Sequence, residues 1–360
     1  MMWLAWRQFR AQAVILAGAV VVFAVIFGVT APHLFHVYDT IVKSCTMHGD
    51  CNSTQGAFLN NYNFYEHLVQ DSIIFPALLG AFLGAPLVAR EYEHDTFRLA
   101  WTQSETRTKW FAAKICVAGI GGIVAIGLFS LMATLWSRPW DHVNNLPFST
   151  FDTRDLVPVA YAAFAFALGV AAGAVLRRTV PAMAVTLFGY AAVHFFFSEN
   201  VRPHFLAPLR FVSKYTLPFF SNGSVVVRAT PQQSDWIVTD QLINKSGVVI
   251  GEHGGVGSNG NISFRNLGFD RASFEGVGRC PNTFPAPPAR VGGGETIIHG
   301  GPSHAMLDAM QKCVASFHLR TIVTYQPVSR FWTFQWMEFG SFLVLTAVLF
   351  AFSLWWVRRH

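Results

Sequence analysis

AVILAGAVVVFAVIFGVTA, residues 13–31, carries no charged side chain. A helix of about 20 apolar residues crosses the ~30 Å of bilayer hydrocarbon, so this run reads as a membrane span. In lipid a helix satisfies every backbone N–H and C=O internally, which makes an α-helical bundle the expected architecture. The run exceeds the ~7–15 apolar residues of a signal-peptide core, and Pro32 follows the only small-residue cleavage candidate, so the span is retained. The rest of the chain agrees. Over 360 residues, 52% of side chains are hydrophobic and only 13% are charged, with a mean hydropathy of +0.37. Such a composition excludes an ordinary soluble domain.

Six segments qualify as spans: Ala11 to Ala31, Ile73 to Val88, Phe111 to Trp136, Leu156 to Leu176, Val180 to Phe197 and Phe339 to Val357. The second holds Pro76 and Pro86, which predicts an earlier start near Asp71 and a kink. Lys and Arg set the orientation. With the N-terminus cytoplasmic, the inside segments carry 11 basic and 4 acidic residues, and the outside segments carry 15 and 16. The +6 net charge therefore lies along one membrane face, which argues for membrane orientation and against nucleic acid as a partner. Six spans return both termini to the cytoplasm.

The fold expected is thus an all-α polytopic membrane protein of six transmembrane helices. Residues 1–10 form an N-terminal helix and 11–197 hold helices 1–5, with a first extracellular loop at 32–70 and a cytoplasmic connector at 91–108. Residues 198–338 form a large extracellular α+β domain between helices 5 and 6, and 339–360 supply helix 6 and a cytoplasmic tail. Trp3, Trp6, Arg7 and Arg10 at helical spacing suit an interfacial lead-in helix or an ordinary positive flank equally well. In the outer domain, Ser224 to Ala229, Trp236 to Thr239, Gly247 to Ile250 and Thr296 to His299 read as strands. MLDAMQKCVASF, from Met306, reads as a helix. Cys45 and Cys51 fall in the first outer loop, and Cys280 and Cys313 in the last. Two disulfides on the oxidising side are expected, the alternative being four free thiols.

Sites with chemistry are sparse. Gly255, Gly257 and Gly260 spell a dinucleotide fingerprint, but a polar segment follows where a helix must start, so the stretch is a glycine-rich turn. Glu295, His299 and His304 lack metal-ligand spacing. No catalytic set and no G-x-x-x-x-G-K-[ST] phosphate loop occurs, so any nucleotide hydrolysis belongs to another chain. Asp71, His194, Glu199 and Glu338 sit at or near span ends, and no relay of carboxylates occupies mid-membrane, which counts against an ion-gradient engine. Gly80 and Gly84, and Gly169 and Gly173, each form G-x-x-x-G, a pattern that lets helix backbones approach closely in packing or dimerisation.

One polar stretch remains, EYEHDTFRLAWTQSETRTKW at 91–110. Phe97, Ala100, Trp101 and Ser104 share a helical stripe, while Glu91, Asp95 and Arg98 lie toward the other side. Glu105 and Lys109 form a favourable i,i+4 pair. A positive-inside rule explains the basic residues but leaves the four carboxylates unexplained. Arg90-Glu91, Thr96, Leu99, Thr102-Gln103-Ser104, Arg107, Trp110 and Lys114 resemble the segment between the second and third spans of ABC type-2 export permeases (type V ABC exporters). With RFWTFQWMEFG leading the last span, the variant resembles the stand-alone permeases of high-GC Gram-positive bacteria.

The resemblance implies a coupling helix seated on a cytoplasmic ABC ATPase, with Glu91, Glu93, Thr96, Arg98 and Arg107 as contact residues. It implies a second permease copy, and ATP and Mg held by the partner ATPase with no cofactor in this chain. This chain would then be no enzyme itself. It would sit in a bacterial plasma membrane and export an amphipathic or hydrophobic drug, lipid or peptide. A membrane-anchored sensor or assembly component, whose outer domain binds a ligand without solute transport, is the alternative.

Overall fold

The computed structural model describes residues 2–42, 58, 61, 63–93, 107–144, 147–214, 219–221, 224–226, 235–247, 249–254, 312 and 318–359. Cys45, Cys51, Cys280 and Cys313, the GVGSNG turn, the Thr296 to His299 strand and the body of the Met306 helix lie outside them. The chain divides into a helical unit, Met1–Leu206 with Ser329–His360, and a second unit, Ala207–Val328.

In the helical unit, α1 (Met2–Val37) runs unbroken from the aromatic N-terminus through the first apolar run. The second span is a composite. Helix α2 (Asn63–Asp71) leads through a 3-10 turn (Ser72–Ile74) into α3 (Phe75–Leu79), a π-helical segment (Gly80–Gly84) and α4 (Ala85–Glu93). The 3-10 and π-helical turns adjoin Pro76 and Pro86, which remove backbone donors from the helical ladder. There follow α5 (Arg107–Trp136), the short α6 (Arg138–Asn144), α7 (Val157–Leu176), α8 (Thr179–Phe196) and α9 (Phe331–Arg359). Six of these stretches are long and apolar enough to cross a membrane.

The last helix starts eight residues before the expected Phe339. Gln335 and Glu338 break the apolar run in sequence, but both are fully buried and bonded inside the bundle. Polar residues whose partners lie on other helices do not end a helix.

Helix α7 is the hub. Alanine and glycine cover it on all sides, sixteen of its residues are buried, and a helix apolar all round belongs in a core. The two G-x-x-x-G patterns meet each other here. A Cβ added to Gly80 would fall on the carbonyl of Ala165, and one on Gly169 on the carbonyl of Gly80. One on Gly84 would lie 2.6 Å from the carbonyl oxygen of Phe166. Of packing and dimerisation, these glycines therefore serve packing within the chain, where small residues bring the second and fourth spans to backbone contact.

The N-terminus of α7 is capped from a distance. Gln335 Oε1 accepts from the N–H groups of Leu156 and Val157 at 3.2 and 3.1 Å, and its Nε2 donates to the Phe151 carbonyl at 3.1 Å. Two of the donors that every helix start leaves unpaired are thereby satisfied by the last span. Gln335→Leu strands both, and the expected cost is about 1–3 kcal/mol per orphaned group, read as a lowered unfolding temperature of the purified protein.

The second unit holds a four-stranded antiparallel sheet ordered β1 (Leu209–Lys214), β6 (Arg320–Gln326), β4 (Trp236–Ile243) and β5 (Val249–Gly254). A separate hairpin pairs β2 (Phe219–Ser221) with β3 (Ser224–Val226). Ile237, Ile322 and Val323 are buried on the sheet. Strand β4 outruns its predicted end, and β1, β2 and β6 were not foreseen; in β1 and β6 the adjacent Phe211-Val212 and Ile322-Val323 break the apolar–polar alternation that marks a strand.

Candidate functional site

Two polar constellations stand at opposite ends of α7. The first forms where the second span ends and the connector begins. Glu91, on the last turn of α4, accepts from Lys114 near the start of α5. Lys114 is nearly buried and Glu91 only partly exposed, at 7% and 15% of their side chains. Two residues on, Glu93 accepts from the backbone N–H of Thr179 at 3.2 Å and from its hydroxyl at 2.6 Å. A carboxylate at the first turn of α8 meets unpaired N–H groups and the positive end of the helix dipole. Between them, the Tyr92 ring lies 5.2 Å from the Arg177 guanidinium. Arg177 closes α7 in a left-handed conformation (φ 54°), its N–H reaching the Gly173 carbonyl at 3.1 Å. That geometry is an αL cap, which glycine usually occupies. Three consecutive residues thus fasten the root of the connector to the third span and to the turn between the fourth and fifth.

The second constellation is ionic. Arg202, just past α8, grips Glu338 of α9 as a fork, Nε to Oε2 at 2.7 Å and Nη2 to Oε1 at 2.8 Å. The same guanidinium bonds both oxygens of Asp152, in the loop before α7, and its Cζ lies 4.5 Å from the centroid of the Phe151 ring. The Tyr161 hydroxyl stands 2.8 Å from Asp152 and 2.5 Å from Glu338. His194 Nε2 approaches Asp152 at 3.5 Å. Glu338 is completely buried and Arg202 is 6% exposed. Bidentate, charge-assisted bonds are what make such burial tolerable. The cluster binds the third loop and the fourth, fifth and sixth spans into one block.

Burial by itself would raise the Asp152 pKa, but Arg202, with His194 beside it, outweighs that and holds the carboxyl below the usual carboxylate range. A depressed folded pKa contributes stability that is present above the unfolded value of ~3.9 and is lost as pH falls through the folded one. The gap in unfolding temperature between the wild type and Asp152→Asn should therefore be present at about pH 5 and narrow below about pH 4. A gap that widens in acid contradicts this assignment.

The sequence-predicted contact residues divide. Glu91 and Glu93 are brought together at the root and are engaged within the chain. Arg107 opens α5, with its side chain outside the described residues, as are Thr96 and Arg98 entirely. Cys116, in α5, is a free thiol. Sequence reasoning noted Glu338 and His194 singly, held Lys114 only as part of the connector motif, and missed Asp152, Tyr161 and Arg202. A signal existed. Arg202 and Glu338 both flank spans on the same predicted membrane face, and an ionisable residue there calls for a partner of opposite sign.

Six membrane-length helices, locked by a buried ion cluster and backbone-close glycines, define a multi-pass membrane protein. The family model described as ABC-2 membrane transporter related matches residues 17–202, just over half of the 360 residues, and the chain belongs to that family. The match runs from the first span through the fifth and ends on Arg202. No curated protein and no solved structure matches the chain. Membership and helix content fit the membrane subunit of a transporter, a component that is generally not itself catalytic.

Proposed function

We propose that this chain is the permease subunit of an ATP-driven ABC exporter. In this reading two permease copies work with cytoplasmic ABC ATPases, which hold the ATP and Mg, and an amphipathic or hydrophobic substrate moves outward across a bacterial plasma membrane. The supporting observation is the anchored root of the connector. Glu91 bonds Lys114, and Glu93 bonds Thr179, so a push delivered to residues 94–106 reaches the second, third, fourth and fifth spans together. A loop held at one end only would dissipate it. Glu91 and Glu93 are then the fixed end of a lever. Thr96, Arg98 and Arg107 are the residues proposed to meet the ATPase.

The two groups behave differently when changed. Arg98→Glu should lower capture of a co-expressed ATPase by about tenfold, as removal of one well-placed interface charge does, without changing the permease's unfolding temperature. Glu91→Gln should leave capture intact and reduce permease-dependent stimulation of hydrolysis. Equal capture and equal stimulation in both variants would remove the connector from the coupling path.

The separate Ala207–Val328 unit favours a second reading, a ligand-binding sensor whose spans relay a signal. Ligand binding by the full chain with no ATP-dependent movement of solute in vesicles would select it.

A further inference from the structure

Three residues other than glycine hold a positive φ among the described residues: Asp155, Arg177 and His318. Aspartate and histidine are enriched in that region, whereas arginine is not. A left-handed residue after a helix is usually glycine, because a Cβ crowds the following carbonyl oxygen there. Arg177 nonetheless closes α7 at φ 54° and ψ 16°. Its backbone makes the bond a glycine would make, from its N–H to the Gly173 carbonyl. The reason for a strained arginine therefore lies in its side chain.

That side chain is exposed, and among the described residues its guanidinium meets the Tyr92 ring and no carboxylate. Tyr92 is the middle residue of the connector root, between Glu91 on Lys114 and Glu93 on Thr179. Successive residues of a helix point about 100° apart, so the three contacts hold the last turn of α4 from three sides. The frame behind them is rigid. A Cβ on Gly173 would lie 2.5 Å from the Ala85 carbonyl oxygen, so α4 and α7 are in backbone contact just before the two residues meet. A glycine at 177 would keep that frame and the helix cap, and would lose only the contact with Tyr92.

We infer that Arg177 is a positioning residue for the coupling path: its guanidinium fixes Tyr92 and keeps the last turn of α4, where the connector begins, closed. An exposed cation–π contact does no more than offset the strain of a left-handed Cβ. The arginine thus adds little to folding, and glycine would serve folding better. For its effect on hydrolysis the inference rests on the permease reading. For its effect on the root it rests on geometry alone.

The test uses the full chain, first by itself. Arg177→Gly relaxes the backbone and should unfold at or above the wild-type temperature. Amide exchange at Glu91, Tyr92 and Glu93 should nevertheless quicken about two- to fivefold, the equilibrium factor that an exposed cation–π contact carries. Arg177→Gln keeps the Cβ and loses the cation, so it should exchange faster with no gain in stability. Arg177→Lys keeps a cation and should restore slow exchange. In vesicles with a co-expressed ABC ATPase, the glycine and glutamine variants should both lower the permease-dependent rise in hydrolysis, and the lysine variant should recover it. A glycine variant that unfolds well below the wild type would make Arg177 structural and overturn the inference. Unchanged exchange at the root overturns it too, since an arginine that contacts the ATPase or a lipid phosphate directly leaves the free chain's exchange alone. Faster exchange with an unaltered rise in hydrolysis overturns it as well. If no ATPase responds to the wild-type chain, the permease reading fails, and exchange at the root still decides what Arg177 positions.

Discussion

Arg202→Met is expected to destabilise the helical unit by about 3–5 kcal/mol, the usual consequence of removing one partner of a buried ion pair. Glu338, with no exposure to solvent, would lose both arms of the guanidinium fork. Asp152 would lose its bonds at the same time. Arg202→Lys should fall between, because an ammonium supplies a point charge and cannot bridge two carboxylates as a planar fork does. Replacing Arg202 and Glu338 together by apolar residues should recover part of the loss, since a buried charge left alone costs more than none. Unfolding of large membrane proteins is often irreversible. The quantity to compare is therefore the apparent unfolding temperature at one heating rate, in one detergent. An Arg202→Met variant that unfolds with the wild type would show that the cluster does not hold the spans together.

Gly169→Leu is expected to prevent assembly of the bundle. Even the Cβ of such a side chain falls on the Gly80 carbonyl, and the next nearest atom is the Ala85 nitrogen at 2.8 Å. Overpacking a core costs about 1–3 kcal/mol when side chains can shift, and here the obstacle is backbone on an adjoining helix, which cannot. Gly80→Leu should fail for the same reason from the other side. Gly18 and Gly28 make the control, since an added Cβ at either meets nothing within 4 Å. Their alanine variants should match or exceed the wild type, because alanine is the better helix former by about 1 kcal/mol. Monodisperse yield after extraction separates the cases. A well-folded Gly169→Leu protein would contradict the packing described for the second and fourth spans.

The six spans were legible because each is written as a run of apolar residues, a signal that survives without knowledge of neighbours. The helical irregularity beside Pro76 and Pro86 was legible for a local reason too. What the runs could not say is which helix touches which. The two glycine patterns were visible, yet their pairing with each other depends on how the fourth span inserts against the second. The ion cluster was harder still. Asp152, Tyr161, Arg202 and Glu338 are scattered over almost two hundred positions, and Arg202 lies just past an apolar segment where it passes for an ordinary loop cation. Its role emerges only once α8 and α9 stand side by side. The connector shows the reverse case. Its charge pattern was plain in the sequence, but the engagement of Glu91 and Glu93 within the chain required Lys114 and Thr179 to be placed beside them.

The central claim, that this chain is a transporter's membrane subunit driven by a separate ATPase, is tested most directly by measuring ATP hydrolysis in lipid vesicles. The chain would be reconstituted alone and then with a co-expressed ABC ATPase. The account predicts no hydrolysis by the chain alone, and hydrolysis by the ATPase that rises when the permease is present and loses that rise with Glu91→Gln. Hydrolysis by the chain alone, or an ATPase rate indifferent to its presence, would contradict it.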